Sequence, residues 1–306
     1  MSFFGKQTYE RGCCFRHQRG QNMSYRSIQT LKKHAKILRQ TKQISHSQAL
    51  DVIAQQEGFS SWSLLIKKRQ KQPLTSLEQL WQQPGELSLL AAKMYVGKTT
   101  LMLNFALQAA KSGQRVVFLS TMLDEAALNM RLHAMNTLLP HALLQRPAQE
   151  LTSDALSKMS TSISEFEGLS LLLCSCPQIR KEDLIERVDK APTQTLFFFD
   201  YLQALGHFEQ EVDMYESFMV ELKKVVRRKQ HSFFFLGQLQ RPTEEQPTLS
   251  DLKGHPHVHR HFSLVLGLHR AFDSRRAGLE VLKSERLIEG CYPLEFDPSN
   301  GVFSEV

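Results

Sequence analysis

The segment 92–99 limits what this chain can fold into more than any other part of its sequence. It reads AKMYVGKT, follows the apolar run 87–91 and leads directly into the helical run 101–110. A loop that ends in Gly-Lys-Thr between a strand and a helix is typical of a P-loop, or Walker A motif, in which backbone N–H groups and the helix N-terminus bind phosphate oxygens. The sequence therefore predicts an α/β domain that binds a nucleotide at this loop.

The P-loop also assigns roles to individual side chains. The residues expected to bind the phosphates of ATP are Gly97, Lys98, Thr99 and Thr100. Lys98 is placed to reach the β and γ oxygens, and the Thr99 hydroxyl to coordinate Mg²⁺. A second apolar run, 196–199, is followed by Asp200, whose carboxylate would orient Mg²⁺ and its waters. Many strands end in aspartate, so Asp200 gains its weight from the P-loop. Together they predict ATP and Mg²⁺ as cofactors.

Apolar runs alternate with helical runs through most of the chain. The predicted strands are residues 87–91, 115–120, 169–174, 195–200, 232–237, 264–268, 279–283 and 292–296. Helical segments between the earlier strands imply right-handed crossover connections and a parallel sheet. The predicted fold class is α/β, with a central, mostly parallel sheet preceded by a small all-helical N-terminal module.

Charge divides the chain near residue 72. Residues 1–72 contain 14 Lys and Arg against three acids, which gives +11, whereas the remaining 24 basic and 28 acidic residues give −4. A basic arm on a slightly acidic body favours nucleic acid as the partner of the arm, with a merely solvated basic face as the other interpretation. We expect a disordered lead at 1–23, a basic helical module at 24–72 and an ATP-binding domain at 73–306.

The basic module is expected to contain three helices. Residues 27–40 place apolar residues at helical spacing, and a second helix begins at Ser45 or Ser47 and ends at Gly58. With a third helix after it, the spacing suits a helix-turn-helix corner, so DNA binding, docking to a partner protein and plain packing all remain open. The candidate DNA contacts are Lys32, Lys33, Lys36, Arg39, Lys67, Lys68 and Arg69.

Four segments resemble, in order, motifs of the motor domain of DnaB-type replicative helicases. They are 85–100 (GELSLLAAKMYVGKTT), 200–203 (DYLQ), 237–241 (GQLQR) and 250–253 (SDLK). The similarity extends over residues 84–306, and DnaB-type proteins also tend to have alanine at the position of Ala92. The resemblance implies a RecA-like P-loop domain that acts on DNA as an ATP-dependent helicase or translocase. The family's N-terminal scaffold domain is expected to be absent.

The resemblance also implies roles for residues beyond the P-loop. Gln238 ends the strand that follows the Asp200 strand, where the family's glutamine senses the state of the nucleotide. Residues 283–286 (KSER) resemble the family's Lys-x-Arg, whose cations reach the nucleotide of a neighbouring subunit. Lys283 matches, Glu285 stands where the arginine should be, and Arg286 comes one residue late. A nucleotide shared between subunits implies a homo-oligomer, with a hexameric ring as one form.

Two departures from the family pattern put hydrolysis in question. The family's glutamate that polarises the attacking water falls on Met122, whose thioether cannot accept a proton. Asp124 and Glu125 follow it and substitute only if the turn bends differently. The segment 206–215 is acidic where the family has a basic loop that grips DNA. The alternative to a helicase is therefore a hydrolysis-poor regulatory or adaptor protein of the same fold.

Residues of metal-ligand type are interpreted more plainly. Four histidines alternate in residues 255–261 (HPHVHRH), for which zinc binding, contact with a phosphate backbone and a solvated loop are the alternatives. The solvated loop is favoured, since no acid or thiol lies within the cluster. The five cysteines form no Cys-x-x-Cys pair and are interpreted as buried or free thiols. Without a long apolar run or a secretory signal, the protein is expected to be cytoplasmic and away from membranes.

Overall fold

The computed structural model describes residues 28–69, 71–206, 212–239, 246–252, 258–271 and 273–306, without the side chains of 28–30 and 68–69. The predicted lead at 1–23 lies outside the described residues. The chain divides into two compact units, Met1–Gln72 and Pro73–Val306. Each unit has its own hydrophobic core, and each is described by itself below.

The elements alternate as strands and helices through the second unit. The helices are α1 (Ile28–Lys42), α2 (His46–Gln56), α3 (Trp62–Arg69), α4 (Glu78–Trp81), α5 (Lys98–Lys111), α6 (Glu125–Thr137), α7 (His141–Leu144), α8 (Ser153–Glu167), α9 (Lys181–Lys190) and α10 (Val212–Lys229). The strands are β1 (Glu86–Ala92), β2 (Val116–Ser120), β3 (Leu171–Ser175), β4 (Leu196–Asp200), β5 (Ser232–Gln238), β6 (Leu264–Arg270), β7 (Arg276–Ser284), β8 (Gly290–Asp297) and β9 (Val302–Glu305). Among the described helices, none is long and apolar enough to cross a bilayer.

The first unit packs α1, α2 and α3 around a small apolar core. Its fully buried members are Leu31, Ala35, Ala49, Ile53, Ala54 and Leu65. Ser45 caps α2, with its hydroxyl accepting the N–H of Gln48 in a capping box. Gly58 has φ +84° and allows the chain to turn after α2, because an L residue with a side chain is strained there. The Asp51 carboxylate accepts the N–H of Trp62 at 2.8 Å, which fixes the start of α3.

The second unit is built on one nine-stranded sheet. The strand order is β3-β2-β4-β5-β1-β6-β7-β8-β9, and the six strands from β3 to β6 run parallel. The predicted α/β fold with a central, mostly parallel sheet is confirmed. The predicted parallel arrangement stops at β6, because β7, β8 and β9 follow as an antiparallel extension. Strand β9 was not predicted, since four residues carry little pattern.

Alternating phenylalanines build the core on both faces of this sheet. Phe198 and Phe234 stack in neighbouring strands on the face covered by α5. Phe197 and Phe233 stack on the face covered by α9 and α10. Because strand residues alternate between faces, the run of three phenylalanines in β4 and the run in β5 supply both cores at once. The central strands are thereby held in a fixed register beneath the loops at their carboxyl ends.

Candidate nucleotide-binding site

The loop after β1 has the backbone conformation that its sequence predicts. Tyr95 and Gly97 have φ of +63° and +106°, and the Gly97 carbonyl accepts the N–H of Leu101 at 2.8 Å in the first turn of α5. A Cβ at Gly97 would lie 3.2 Å from Cζ of Phe303 as well as adopting a strained φ. The first turn of α5 therefore presents its free N–H groups to the loop, as an anion site requires.

The Lys98 ammonium is aimed into the loop. Its Nζ donates to the carbonyl oxygen of Lys93 at 2.8 Å. Burial lowers the pKa of Lys98, and the nearby Asp200 carboxylate partly offsets that shift. An ammonium held this way has few partners to give up when an anion enters the loop.

Thr99 and Asp200 form the second part of the site. The Thr99 hydroxyl donates to Oδ2 of Asp200 at 2.7 Å, although the two residues are 101 positions apart. Asp200 is only 5% exposed, and burial raises its pKa, against the opposing effects of Thr99, Lys98 and Arg131. A hydroxyl beside a buried carboxylate is the kind of oxygen donor set that Mg²⁺ accepts. With Gly97, Lys98 and the neighbouring Thr100, these groups fit Mg²⁺ and a triphosphate.

Strand register brings the end of β2 beside this pair. Ser120 lies opposite Asp200, and Thr121 donates its N–H to the Asp200 carbonyl at 2.7 Å. Met122 comes next and is 68% exposed. The Ser120 hydroxyl accepts the N–H groups of both Met122 and Leu123, at 3.3 and 2.9 Å, and so fixes the turn. A thioether thus occupies the position nearest the expected γ-phosphate in this turn.

The two neighbouring carboxylates have other partners. Asp124 is the N-cap of α6, and its Oδ1 accepts the N–H of Ala127 at 2.7 Å. Oε1 of Glu125 accepts the N–H of Ser175 at 3.3 Å, at the end of β3. Since β3 and β4 lie on opposite sides of β2, that contact turns Glu125 away from Asp200. The bend that either residue would need to replace the missing glutamate is not present here.

Gln238 lies where the family resemblance places it, at the carboxyl end of β5. It is opposite Ala92 in the register of β5 with β1, and Leu239 donates its N–H to the Ala92 carbonyl at 3.1 Å. The Gln238 N–H donates to Oε1 of Gln203 at 3.3 Å, which links β5 to the segment after Asp200. Because β5 lies between β4 and β1, Gln238 stands between the Asp200 strand and the P-loop strand.

Lys283 and Arg286 lie on β7 and just beyond it. Lys283 Nζ donates to the carbonyl oxygen of His259 at 2.8 Å. Arg286 is exposed, and its N–H donates to the Ser284 hydroxyl at 3.1 Å. Glu285, which stands where the family has arginine, is exposed as well. In the strand order β7 is separated from the Asp200 strand by β5, β1 and β6, so the two cations and Asp200 belong to different parts of the sheet.

The structure adds residues that sequence reasoning missed. Asn104, 5% exposed, donates through Nδ2 to the carbonyls of Thr100 and Gly301, both at 2.8 Å, and its Oδ1 accepts the N–H of Phe303 at 3.1 Å. It ties α5 to the turn before β9 and to β9 itself. On the other side, Arg270 Nε donates to the carbonyl of Val96 at 3.5 Å. No motif in the sequence marks these two braces, because both depend on distant chain segments.

The candidate nucleic-acid residues are partly described. The Lys32, Lys33, Lys36 and Arg39 side chains are exposed on α1, opposite its buried Leu31 and Ala35, and we call these four the basic face. Lys67 is exposed on α3, whereas the Lys68 and Arg69 side chains lie outside the described residues. So do His255, His257 and residues 207–211 of the acidic segment. His261 pairs with Glu216 at 2.8 Å.

Comparison with known proteins gives two family matches. The family model described as "DnaB-like helicase C terminal domain" matches residues 71–288. A second, described as "Glyoxalase superfamily protein", matches residues 21–86, about a fifth of the chain, and carries no activity over to it. Replicative DNA helicase DnaB of Helicobacter pylori (strain J99) is 25% identical over 199 residues, which cover 61% of this chain and 40% of that protein.

Two solved structures share the fold. An ATPase domain solved by itself superposes with a TM-score of 0.65 at 19% identity, over 72% of this chain and 84% of that one. A DnaB-like replicative helicase, solved for its interactions with primase, gives a TM-score of 0.68 at 16% identity, over 91% of this chain and 76% of that one. At these identities the superpositions establish the architecture alone.

Proposed function

This chain belongs to the DnaB-like helicase C-terminal domain family, and we propose that it binds ATP with Mg²⁺ between its P-loop and Asp200 and acts on DNA. At the level of the family it is a replicative helicase-like ATPase domain. The chain spans less than half of the DnaB protein of Helicobacter pylori, so its own substrate, partners and activity are part of the proposal.

The hydrogen bond from Thr99 to Asp200 carries the proposal for ATP and Mg²⁺. It joins the first turn of α5 to the end of β4 and places two hard oxygen donors 2.7 Å apart. Lys98 lies in the adjacent loop and is attracted by the same carboxylate. When bound, Mg²⁺ neutralises phosphate charge. The protein's part is to hold the phosphates through the N–H groups of the loop and the Lys98 ammonium.

Calorimetric titration of ATP with Mg²⁺ tests this site. Lys98→Ala is expected to weaken binding at least about 10-fold, since hydrogen bonds of a charged group contribute about 1.5–3 kcal/mol. Lys111→Ala is the matched control, because it removes the same charge from the last turn of the same helix, where the ion pair with Glu165 is half exposed at 4.0 Å. Equal ATP affinity in wild type and Lys98→Ala would remove the basis for the assignment.

We further propose that the site turns over slowly. Met122 cannot take a proton from water, Asp124 caps α6, and Glu125 binds the end of β3. These contacts support the second candidate function, a nucleotide-binding regulatory or adaptor protein of the same fold. Nucleotide binding is common to both functions, and the rate of hydrolysis distinguishes them.

The basic face on α1 supports DNA as the polyanion. Its four cations are exposed on one helix, while Asp51, an acid of the same unit, is engaged at the start of α3. Cations arranged without a set of base-reading side chains give binding with little sequence preference and a steep dependence on salt. We propose that this unit holds DNA for the ATP-binding unit.

Assembly as a homo-oligomer, with a hexameric ring as one form, is part of the same proposal. Arg286 is exposed just beyond β7, on the far side of β6 and β1 from the Asp200 strand. An exposed cation placed this way is suited to act on a nucleotide held by a neighbouring copy. Sedimentation of the protein with and without ATP and Mg²⁺ measures this directly.

A further inference from the structure

We propose that His269, Glu280 and Cys291 form a binding site for a thiophilic divalent cation such as Zn²⁺, separate from the nucleotide site. They lie on β6, β7 and β8, three neighbouring strands of the sheet at its antiparallel extension. His269 is opposite Gly278, and Glu280 is opposite Cys291. The alternation of strand residues therefore puts all three side chains on one face.

This face is the one turned away from α5. Leu268 and Leu279, the strand neighbours of His269 and Glu280, pack into the core that contains α5. The three candidate ligands point to the opposite side, where the His269 and Glu280 side chains are 14% and 11% exposed and Cys291 is half-buried. The site is thus sheltered but open to solvent on the Cys291 side, which gives a cation a way in.

The distances agree with a shared metal. One ligand atom from each residue lies within 4.8 Å of the other two. His269 Nε2 is 3.3 Å from Oε1 of Glu280 and 3.9 Å from Sγ of Cys291. Tetrahedral zinc with ordinary bond lengths separates nitrogen from oxygen by about 3.3 Å and nitrogen from sulfur by about 3.6 Å. A shift of a few tenths of an ångström in Cys291 would complete that geometry.

Gly278 makes the arrangement possible. A Cβ at this position would collide with Nε2 of His269, so the imidazole lies across the strand where any other residue would place a side chain. Nitrogen, carboxylate oxygen and thiolate are all zinc ligands, and three protein ligands leave a fourth position for water. On binding, the Cys291 thiol gives its proton to solvent, because the thiolate is the ligand. The bound cation would join three strands of the sheet.

Titration of the full chain with Co²⁺ under reducing conditions tests the site. Cobalt bound to a thiolate gives a sulfur-to-metal charge-transfer band in the near ultraviolet, and the proposed Mg²⁺ site at Thr99 and Asp200 contains no sulfur. Wild type is expected to show the band, and Cys291→Ser to lose it. Cys174→Ser is the matched control, since Cys174 is also a half-buried cysteine, and it should keep the band.

A second pair of variants covers a failure of Cys291→Ser to fold, which circular dichroism would reveal. His269→Gln and Glu280→Gln keep side-chain volume, and each should weaken Co²⁺ binding by more than about 10-fold, the lower bound for loss of even an outer-shell partner. No charge-transfer band in wild type, a band that persists in Cys291→Ser, or unchanged affinity in both glutamine variants would overturn the proposal.

Discussion

Replacing Met122 with glutamate should turn a slow ATPase into a faster one. The backbone there is already held beside the metal carboxylate, because Thr121 donates to the Asp200 carbonyl at 2.7 Å. A positioned general base contributes about 10²- to 10⁴-fold, or about 2.7–5.5 kcal/mol of the barrier. Met122 is 68% exposed, so the substitution should change the free energy of unfolding by no more than about 0.5 kcal/mol. The gain should therefore appear in kcat and not in folding.

Phosphate release with saturating ATP and Mg²⁺, with and without single-stranded DNA, measures that gain. Met122→Gln is the matched control, since the amide has the length of glutamate and hydrogen-bonds to water but cannot accept its proton. We expect kcat of Met122→Glu to exceed that of both wild type and Met122→Gln by about 10²-fold or more, with little change in ATP affinity. Equal rates in the glutamate and glutamine variants would refute the reasoning. Brisk wild-type turnover that Asp124→Ala or Glu125→Ala stops would identify the base elsewhere.

Three further results are expected. Because burial raises the pKa of Asp200 in the folded state, its contribution to stability is present at low pH and lost as pH rises through that raised value; calorimetric melting of ligand-free protein should show this loss in wild type and much less of it in Asp200→Asn, and parallel profiles would count against it. Asn104→Ala should lower the free energy of unfolding by about 1–3 kcal/mol for each buried partner left unpaired, measured by urea denaturation against the exposed Asn129→Ala. Replacing the basic face with glutamine should weaken DNA binding and flatten its salt dependence by about one unit of slope per lost phosphate contact, whereas the exposed Lys190→Gln should not.

The parts of the fold set by local sequence were predictable. The P-loop, the phenylalanine run before Asp200 and the capping Ser45 all act through residues close in the chain, so their patterns are visible without a structure. The order of the strands beyond the parallel core was not predictable, because pairing in the antiparallel extension depends on contacts between distant segments.

The same distinction explains the site. Gly97, Lys98 and Thr99 are recognisable as a motif, but their brace through Asn104 joins positions 199 residues apart. Orientation was equally hidden: the sequence placed Asp124 and Glu125 near the γ-phosphate, and only the structure shows that one caps a helix and the other turns towards β3. Spacing in a sequence gives the location of a carboxylate and leaves its direction open.

The brace through Asn104 has a consequence for how the protein matures during synthesis. The P-loop helix leaves the ribosome long before Phe303, which is made roughly 10 to 40 s later at about 5–20 residues per second. During that interval Asn104 has neither Gly301 nor Phe303 as a partner, and Gly97 has no aromatic ring behind it. A nascent chain therefore carries a complete Walker A sequence before it carries a braced one. Nucleotide capture by ribosome-bound intermediates should begin only when β9 has emerged.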